Sequence, residues 1–309
     1  MTSRYLITGG AGFIGSHLAD ELLRRGAEVV VLDDLSTGRV DNLSARVRMV
    51  EGDVLDATLV ERLAKDCVGI FHLAAIASVP RCNDSWVQSH AVNQTGTVTV
   101  LQASRSLGRI PVVYASSAAV YGDQKAERIA EGCELRPLSS YGADKLGAEL
   151  HGRVAHSLFG VPNIGLRFFN VYGPRQDARS PYSGVISIFV ARAGEGAPLT
   201  IYGDGQQLRD FVFVGDVVSH LIQAMSLAER PQGTSGVFNV CTGHGHTVAE
   251  LAQLVIALMH SHSALVHAPG RAGDIRTSVG DPSETRRVFG LGAEIPLHAG
   301  LGHLLHAIH

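Results

Sequence analysis

Short uninterrupted apolar runs alternate along this chain with longer stretches in which apolar residues recur every three or four positions. RYLITG, AEVVVLD, VRMVEGD, VGIFHLAA, PVVYASS and NIGLRFF are runs of the first kind. They are too short for helices, mostly rich in β-branched and aromatic residues, and predict strands. The second kind predicts helices over Ile14–Arg25, Leu59–Lys65, Val87–Leu107 and Lys145–Leu158. Strands apolar on both faces and separated by helices require cover on both sides, so the pattern predicts an α/β fold, a doubly wound parallel sheet, over residues 1–170. Beyond about Val171 the strands shorten and Gly, Pro and Ser become common. A smaller α/β lobe is expected over 171–309, with some later segments returning to the first sheet.

Composition narrows the class. A chain of 309 residues with 45 % hydrophobic content can bury a large core, and a formal charge of -3 without any Lys/Arg run gives no sign of nucleic acid or an anionic membrane as the main partner. The longest apolar run, near Leu251–Met259, is too short to span a bilayer, and the N-terminus carries no charged-then-apolar leader. Cys67, Cys82, Cys133 and Cys241 show no C-x-x-C spacing and read as reduced thiols. A cytoplasmic protein without a membrane segment is expected. His298, His303, His306 and His309 near the C-terminus, and the pairs His244/His246 and His260/His262, have no carboxylate or cysteine beside them in sequence. They read as a solvated face, so no metal site is expected.

The chemistry begins at ITGGAGFIG, where Gly9, Gly12 and Gly15 fall between a strand and a helix. Glycine there lets the backbone turn tightly and approach a pyrophosphate, whose charge meets the free N–H groups of the helix N-terminus. The next strand ends in Asp33 and Asp34, and an acid there accepts both ribose hydroxyls of adenosine and repels a 2′-phosphate. NAD is favoured over NADP, and Arg39 is the one nearby residue that argues the other way. Asp53 follows the third strand, either beside adenine or as the cap of the next helix. Ala74 and Ala75 are small residues at a strand end, suited to close approach of a dinucleotide. Phe13, Ile14, Val54, Leu73 and Asn93 complete the expected cofactor contacts of this Rossmann half.

Ser117, Tyr141 and Lys145 form the second constellation. Tyr141 and Lys145 are four residues apart and project from the same face of a helix. A phenol has a pKa near 10, so acting as a base near pH 7 needs roughly 4 kcal/mol of help. An ammonium about 4 Å away at an effective dielectric near 20 supplies about that much. Ser117 can hydrogen-bond the reacting oxygen and hold it in line.

TGGAGFIGSHL, FHLAA, SSAAVYG, SSYGADK, LRFFNVYGPRQ, GDGQQLRDFVFVGD and RAGDIRTS, taken in order, resemble the extended short-chain dehydrogenase/reductase family, and within it the bacterial UDP-sugar 4-epimerases. The resemblance runs from Ile7 to about Asp281. It implies an enzyme with bound NAD that oxidises a UDP-hexose or UDP-hexuronate at carbon-4 and returns the hydride to the opposite face. Tyr141 would be the base, Lys145 would hold the nicotinamide ribose and lower the tyrosine pKa, and Ser117 would steady the hydroxyl. Relatives that dehydrate or decarboxylate nucleotide sugars place carboxylates just after the serine, where this chain has Ala118 and Ala119. A net nucleotide-sugar oxidoreductase and an idle NAD-binding regulator of the same fold are the alternatives. A homodimer formed through a helix bundle is also implied.

In the same resemblance, Asn170, Arg209, Arg271 and Asp274 line the groove for the nucleotide diphosphate, the arginines because their forks bond two phosphate oxygens at once. Asp216 is expected to cap a helix instead. Ser278 stands where a bulky tyrosine can close the site, so the sugar pocket should be roomy. Val185, Ile188, Phe189 and Arg192 share one helical stripe. Arg192 either reaches a sugar carboxylate or leaves the apolar face at the helix end. Some UDP-glucuronate 4-epimerases continue the PRQ motif with a basic residue where this chain has Asp177, which weighs against uronate recognition by that route.

Overall fold

The computed structural model describes residues 2–177, 184–230, 234–270 and 275–308. The first lobe runs β1 (Arg4–Thr8), α1 (Phe13–Arg24), β2 (Glu28–Asp33), β3 (Arg48–Glu51), α2 (Ala57–Ala64), β4 (Gly69–His72), α3 (Val79–Asp84), α4 (Trp86–His90), α5 (Gly96–Ser106), β5 (Val112–Ser117), α6 (Ser140–Phe159) and β6 (Asn163–Phe168). The remainder runs β7 (Asn170–Tyr172), α7 (Val185–Gly194), β8 (Leu199–Tyr202), β9 (Leu208–Phe213), α8 (Val214–Ala228), β10 (Gly236–Val240), β11 (Gly245–Thr247), α9 (Val248–Leu258), β12 (Leu265–Ala268), β13 (Thr277–Ser278), α10 (Ser283–Phe289) and α11 (Leu297–His306).

Seven parallel strands form the central sheet in the order β10-β6-β5-β4-β1-β2-β3. This is the Rossmann-type doubly wound sheet. Leu6, Ile7, Ile70, Phe71, Val112 and Val113 are fully buried because helices cover both faces. The chain winds one way from β1 to β3 and the other way from β4 onward, so a crevice opens at the carboxyl ends of β1 and β4. β10 and α8 come from beyond residue 170 yet lie on this first sheet.

The second lobe is built around β9, whose first half lies between β11 and β13 and whose second half pairs with β7. Asp210 on β9 is fully buried. Its carboxylate accepts from the Thr242 amide at 2.9 Å, the Thr242 hydroxyl at 2.7 Å and the Gly243 amide at 2.9 Å. That ties the loop after β10 to the second lobe.

Two helices depart from the sequence pattern. Val87–Leu107 is not one helix: α4 and α5 are joined by a π-helical turn over Ala91–Thr95. α6 starts five residues before Lys145, because the Ser139 side chain caps it by accepting from the Gly142 amide at 3.1 Å. Tyr141 and Lys145 therefore lie on one helix.

Candidate active site

Gly9 closes β1 with φ +70°, and a Cβ there would sit 2.6 Å from the Ala74 amide nitrogen. Only glycine permits both the left-handed backbone and this contact between the ends of β1 and β4. Gly12 is the N-cap of α1 and makes no side-chain cap, so the amides of the first turn stay free for an anion. A Cβ on Gly15 would collide with the Gly9 carbonyl, which fixes how closely α1 approaches the turn.

Below this crevice runs a buried polar relay. Thr97 donates to the Asn93 carbonyl at 2.8 Å, so its oxygen accepts from His72 Nε2–H at 3.0 Å. His72 Nδ1 then accepts from the Thr8 hydroxyl at 2.7 Å. Burial, helped by the nearby Lys145 charge, pushes His72 down to about 3, so it stays neutral and pins β1, β4 and α5 together.

The crevice widens into a cleft of about 540 Å³. It is lined by Gly9, Gly12, Phe13, Ile14 and Gly15 after β1, by Asp33, Asp34, Asp53 and Val54 after β2 and β3, and by Leu73, Ala74 and Ala75 after β4. Asp33 is 6 % exposed and accepts from the Ala11 and Leu35 amides, each at 2.9 Å, which fix the carboxylate at the strand end. Burial raises its pKa while those amides oppose the shift. Arg39 is exposed and lies 3.7 Å from Asp41. Asp53 is not the helix cap, a place taken by Asp56; it closes its own turn onto Leu55 and lines the cleft. Glycines that admit close approach, a free helix N-terminus and a fixed carboxylate at the second strand end fit a dinucleotide.

At the other end of the cleft stand Ser117, Tyr141 and Lys145. Lys145 is 3 % exposed, donates to the Ala115 carbonyl at 2.8 Å, and places its ammonium 5.8 Å from the centre of the Tyr141 ring. Burial pushes Lys145 down to about 8, against the pull of Cys82, Asp144 and Glu149. Burial likewise pushes the Tyr141 phenol up to about 12, with a Ser117 hydrogen bond acting in the opposite direction.

Asn170, at the start of β7, lines the cleft. Arg209 on β9 and Ser278 on β13 are register partners in a neighbouring strand pair and do not line it. Arg271 and Asp274 lie outside the described residues. One expectation needs correction. Asn93 is fully buried and turned away from the cleft; it accepts from the Ile76 amide at 2.8 Å and donates to the Ile76 carbonyl at 3.1 Å, bracing the loop after β4 from behind. Arg192 takes the second of its two expected courses: it leaves the apolar face in the last turn of α7, is exposed and donates to the Pro198 carbonyl at 3.3 Å, while the helix buries Ile186, Phe189, Val190 and Ala193. Asp216 lies in the first turn of α8 and accepts from the Ile295 amide at 3.0 Å.

The sequence reading missed Ser36, Thr37, Arg81, Gln88, Ser116 and Gln176, all of which line the cleft. Gln176 gave a signal, since it ends the PRQ motif. His17 donates to the Pro174 carbonyl at 2.9 Å, and Arg175, held at φ +66°, bridges to Asp20 at 2.7 Å. These contacts fold the turn back onto α1, and Ser187 donates to the Gln176 side chain at 2.6 Å. A larger cavity, about 870 Å³, lies between the 242–246 loop and the start of α11 and shares no lining residue with the cleft. Among the described residues no three His, Cys, Asp or Glu side chains converge on a metal position, and no helix is long and apolar enough to cross a membrane.

A dinucleotide crevice that ends on a Ser, Tyr and Lys constellation defines a nicotinamide-dependent short-chain dehydrogenase type of site. The chain belongs to the NAD dependent epimerase/dehydratase family, whose pattern it matches over residues 5–241. It is accordingly an enzyme of the extended branch, with NAD as cofactor. A UDP-glucose 4-epimerase of Mycolicibacterium smegmatis is 38 % identical over 305 residues, 96 % of each chain. A UDP-N-acetyl-alpha-D-glucosaminuronate decarboxylase of Bacillus cytotoxicus is 35 % identical over 87 % of this chain and 84 % of its own. The solved UDP-glucose 4-epimerase of Thermotoga maritima, bound to UDP-glucose, superposes with a TM-score of 0.94 at 34 % identity, over 99 % of this chain and 98 % of the other.

Proposed function

We propose that this enzyme epimerises a UDP-hexose at carbon-4 through a transient 4-keto sugar. The observation that carries the reading is the meeting of Ser117, Tyr141 and Lys145 at one end of the dinucleotide cleft, with Ala118 and Ala119 as the next side chains. Tyr141 takes the proton of the sugar's 4-hydroxyl and later gives it back. Ser117 accepts from the Ala119 amide at 3.1 Å and bonds the Tyr141 phenol, which holds its hydroxyl where the reacting oxygen would sit. Lys145 supplies positive charge beside the phenol and a donor for the nicotinamide ribose. NAD, when bound, supplies an acceptor for the carbon-4 hydride and is regenerated when the hydride returns. The methyl groups of Ala118 and Ala119 cannot shuttle the further proton that dehydration needs, which favours a reaction that reverses its own first step.

A neutral hexose is read in preference to a uronate because Arg192, expected as a possible partner for a sugar carboxylate, is exposed and bonds the Pro198 carbonyl instead. We further propose a cytoplasmic homodimer. α6 exposes Leu150, Val154 and Leu158 at four-residue spacing, with Trp86 65 % and Val87 86 % exposed on α4, and a second copy of α6 and α4 would cover this face.

Incubation with UDP-glucose, UDP-galactose, UDP-glucuronate and UDP-N-acetylglucosamine, followed by NMR of the sugars without added reductant, tests the reading. Interconversion of the 4-epimers of a hexose supports it. Stoichiometric release of NADH, loss of carbon dioxide, or no turnover of any sugar would overturn it.

A further inference from the structure

Gln176 ends the turn that follows β7 and lines the cleft together with Asn170 and Val171. Its side chain is held at both ends: the amide nitrogen donates to the Val171 carbonyl at 3.3 Å, and the amide oxygen accepts from the Ser187 hydroxyl, on α7, at 2.6 Å. A Cβ on Gly184 would lie 3.2 Å from the same nitrogen, so the amide is packed as well as bonded. A carboxamide has two N–H donors and an oxygen with two lone pairs. One donor and one lone pair of Gln176 therefore remain unused among the described residues.

The backbone is braced to present this residue. Arg175, immediately before it, has φ +66°, a left-handed conformation unfavourable to a residue with a Cβ. Strain of that kind persists only where the surroundings over-determine it, and it gathers at ligand sites. Here α1 supplies the brace, through His17 on the Pro174 carbonyl at 2.9 Å and Asp20 on Arg175 at 2.7 Å. The wall to which Gln176 belongs adjoins the reacting groups: Ser117 and Phe168 are register partners at the ends of β5 and β6, and Phe168, Phe169, Asn170 and Val171 continue along the cleft from there.

Asn170 and Gln176 thus put two uncharged amides on the wall that begins beside Ser117. A free donor beside a free acceptor matches a hydroxyl, which both gives and takes a hydrogen bond, and such a wall suits a neutral polyhydroxylated ring. Through Ser187 the side chain is tied to the second lobe, the one expected to hold the nucleotide sugar, which assigns it to the sugar over the nicotinamide amide. We propose that Gln176 is a specificity-determining residue that bonds one hydroxyl of the hexose as carbon-4 meets Tyr141, with Ser187 positioning its amide. The inference deepens the UDP-hexose reading and rests on it for the identity of the ligand.

Calorimetric titration of NAD-loaded enzyme compares wild type with Gln176→Leu, which keeps most of the volume and loses the amide. UDP-glucose should bind the variant about tenfold more weakly, the size of one neutral hydrogen bond, while UDP alone and, on stripped enzyme, NAD should each stay within about twofold. Gln176→Asn keeps an amide but shortens its reach; it serves as the second variant and should show the same pattern. UDP-glucose analogues lacking the hydroxyl at carbon-2, carbon-3 or carbon-6 locate the contact, since with one of them the gap between wild type and Gln176→Leu should vanish. Unchanged UDP-glucose affinity, an equal loss for UDP, a loss for NAD, or a gap that persists with all three analogues would overturn the proposal. If the gap is found but wild type interconverts no 4-epimers, the epimerase reading falls and this one stands. If wild type interconverts them and no gap is found, this one falls and the epimerase reading stands.

Discussion

Arg167 and Glu149 face each other as a two-pronged ion pair, with Nε to Oε1 at 2.9 Å and Nη2 to Oε2 at 2.7 Å. Both side chains are 5 % exposed. Ser116 donates to the same carboxylate at 2.5 Å, and Arg167 donates onward to Tyr121 at 2.8 Å. The pair therefore locks the rotation of α6, and with it Lys145, against the end of β5. Removing one partner strands a buried charge, so Glu149→Ala should cost about 3–5 kcal/mol, whereas replacing both by apolar residues of similar volume should cost much less. Urea unfolding of the two variants checks this; equal losses in both would show that the charges are not paired energetically.

Gly9→Ala should fold with a weakened crevice. Its φ of +70° disfavours any Cβ, and the added carbon would press on the Ala74 backbone, which cannot swing aside as a side chain would. NAD affinity should fall at least about tenfold, since a shift of the turn removes several contacts at once. Calorimetric titration with NAD reads the loss directly, and unchanged affinity would show that the turn is not the pyrophosphate cradle.

Much of this site was legible in the sequence because its local rules agree with the fold. Gly9 and Gly12 signal a turn that only glycine makes, and Tyr141 and Lys145 declare their shared face by spacing alone. Legibility stopped where long-range packing decides. Nothing near Asn93 in sequence announces that its amide brackets Ile76, a contact made across 17 residues. The course of Arg192 stayed open because α7 is mostly apolar, so several stripes fit the sequence, and packing within the second lobe decides it by burying Ile186, Val190 and Ala193 beside Phe189. The raised phenol of Tyr141 was equally hidden, since burial, unlike spacing, is a property of the whole fold.

Asp33 sets the choice of dinucleotide. Its carboxylate is held by two amides at the end of β2, so it cannot rotate away from a ribose. Asp33→Ser should lower NAD affinity about tenfold, by the loss of a charge-assisted acceptor, and should narrow the preference over NADP because the like-charge repulsion is gone. Parallel titrations with the two dinucleotides measure this. A variant that kept wild-type discrimination would assign the choice to another residue.

Lys145 should be stabilising when removed and indispensable when the enzyme works. Burial holds its ammonium at about 8, below the ordinary 10.5 of the unfolded chain. Below the folded value both states bind the proton, and the folded state carries the full penalty of a buried charge, about 3 kcal/mol from the size of the shift. Between about pH 8 and 10.5 the unfolded chain binds more protons than the folded one, so stability rises with pH across that window. Lys145→Met removes the charge and keeps most of the volume. In NAD-free protein its melting temperature near pH 7 should exceed that of wild type by several degrees, at about 2–4 °C per kcal/mol for a chain approaching this size. The gap should close as pH rises through the window, while UDP-sugar turnover is lost at every pH. Thermal melts at about pH 7 and pH 10 decide the matter: a gap that does not narrow would mean that the lysine is not charged in the folded protein at neutral pH.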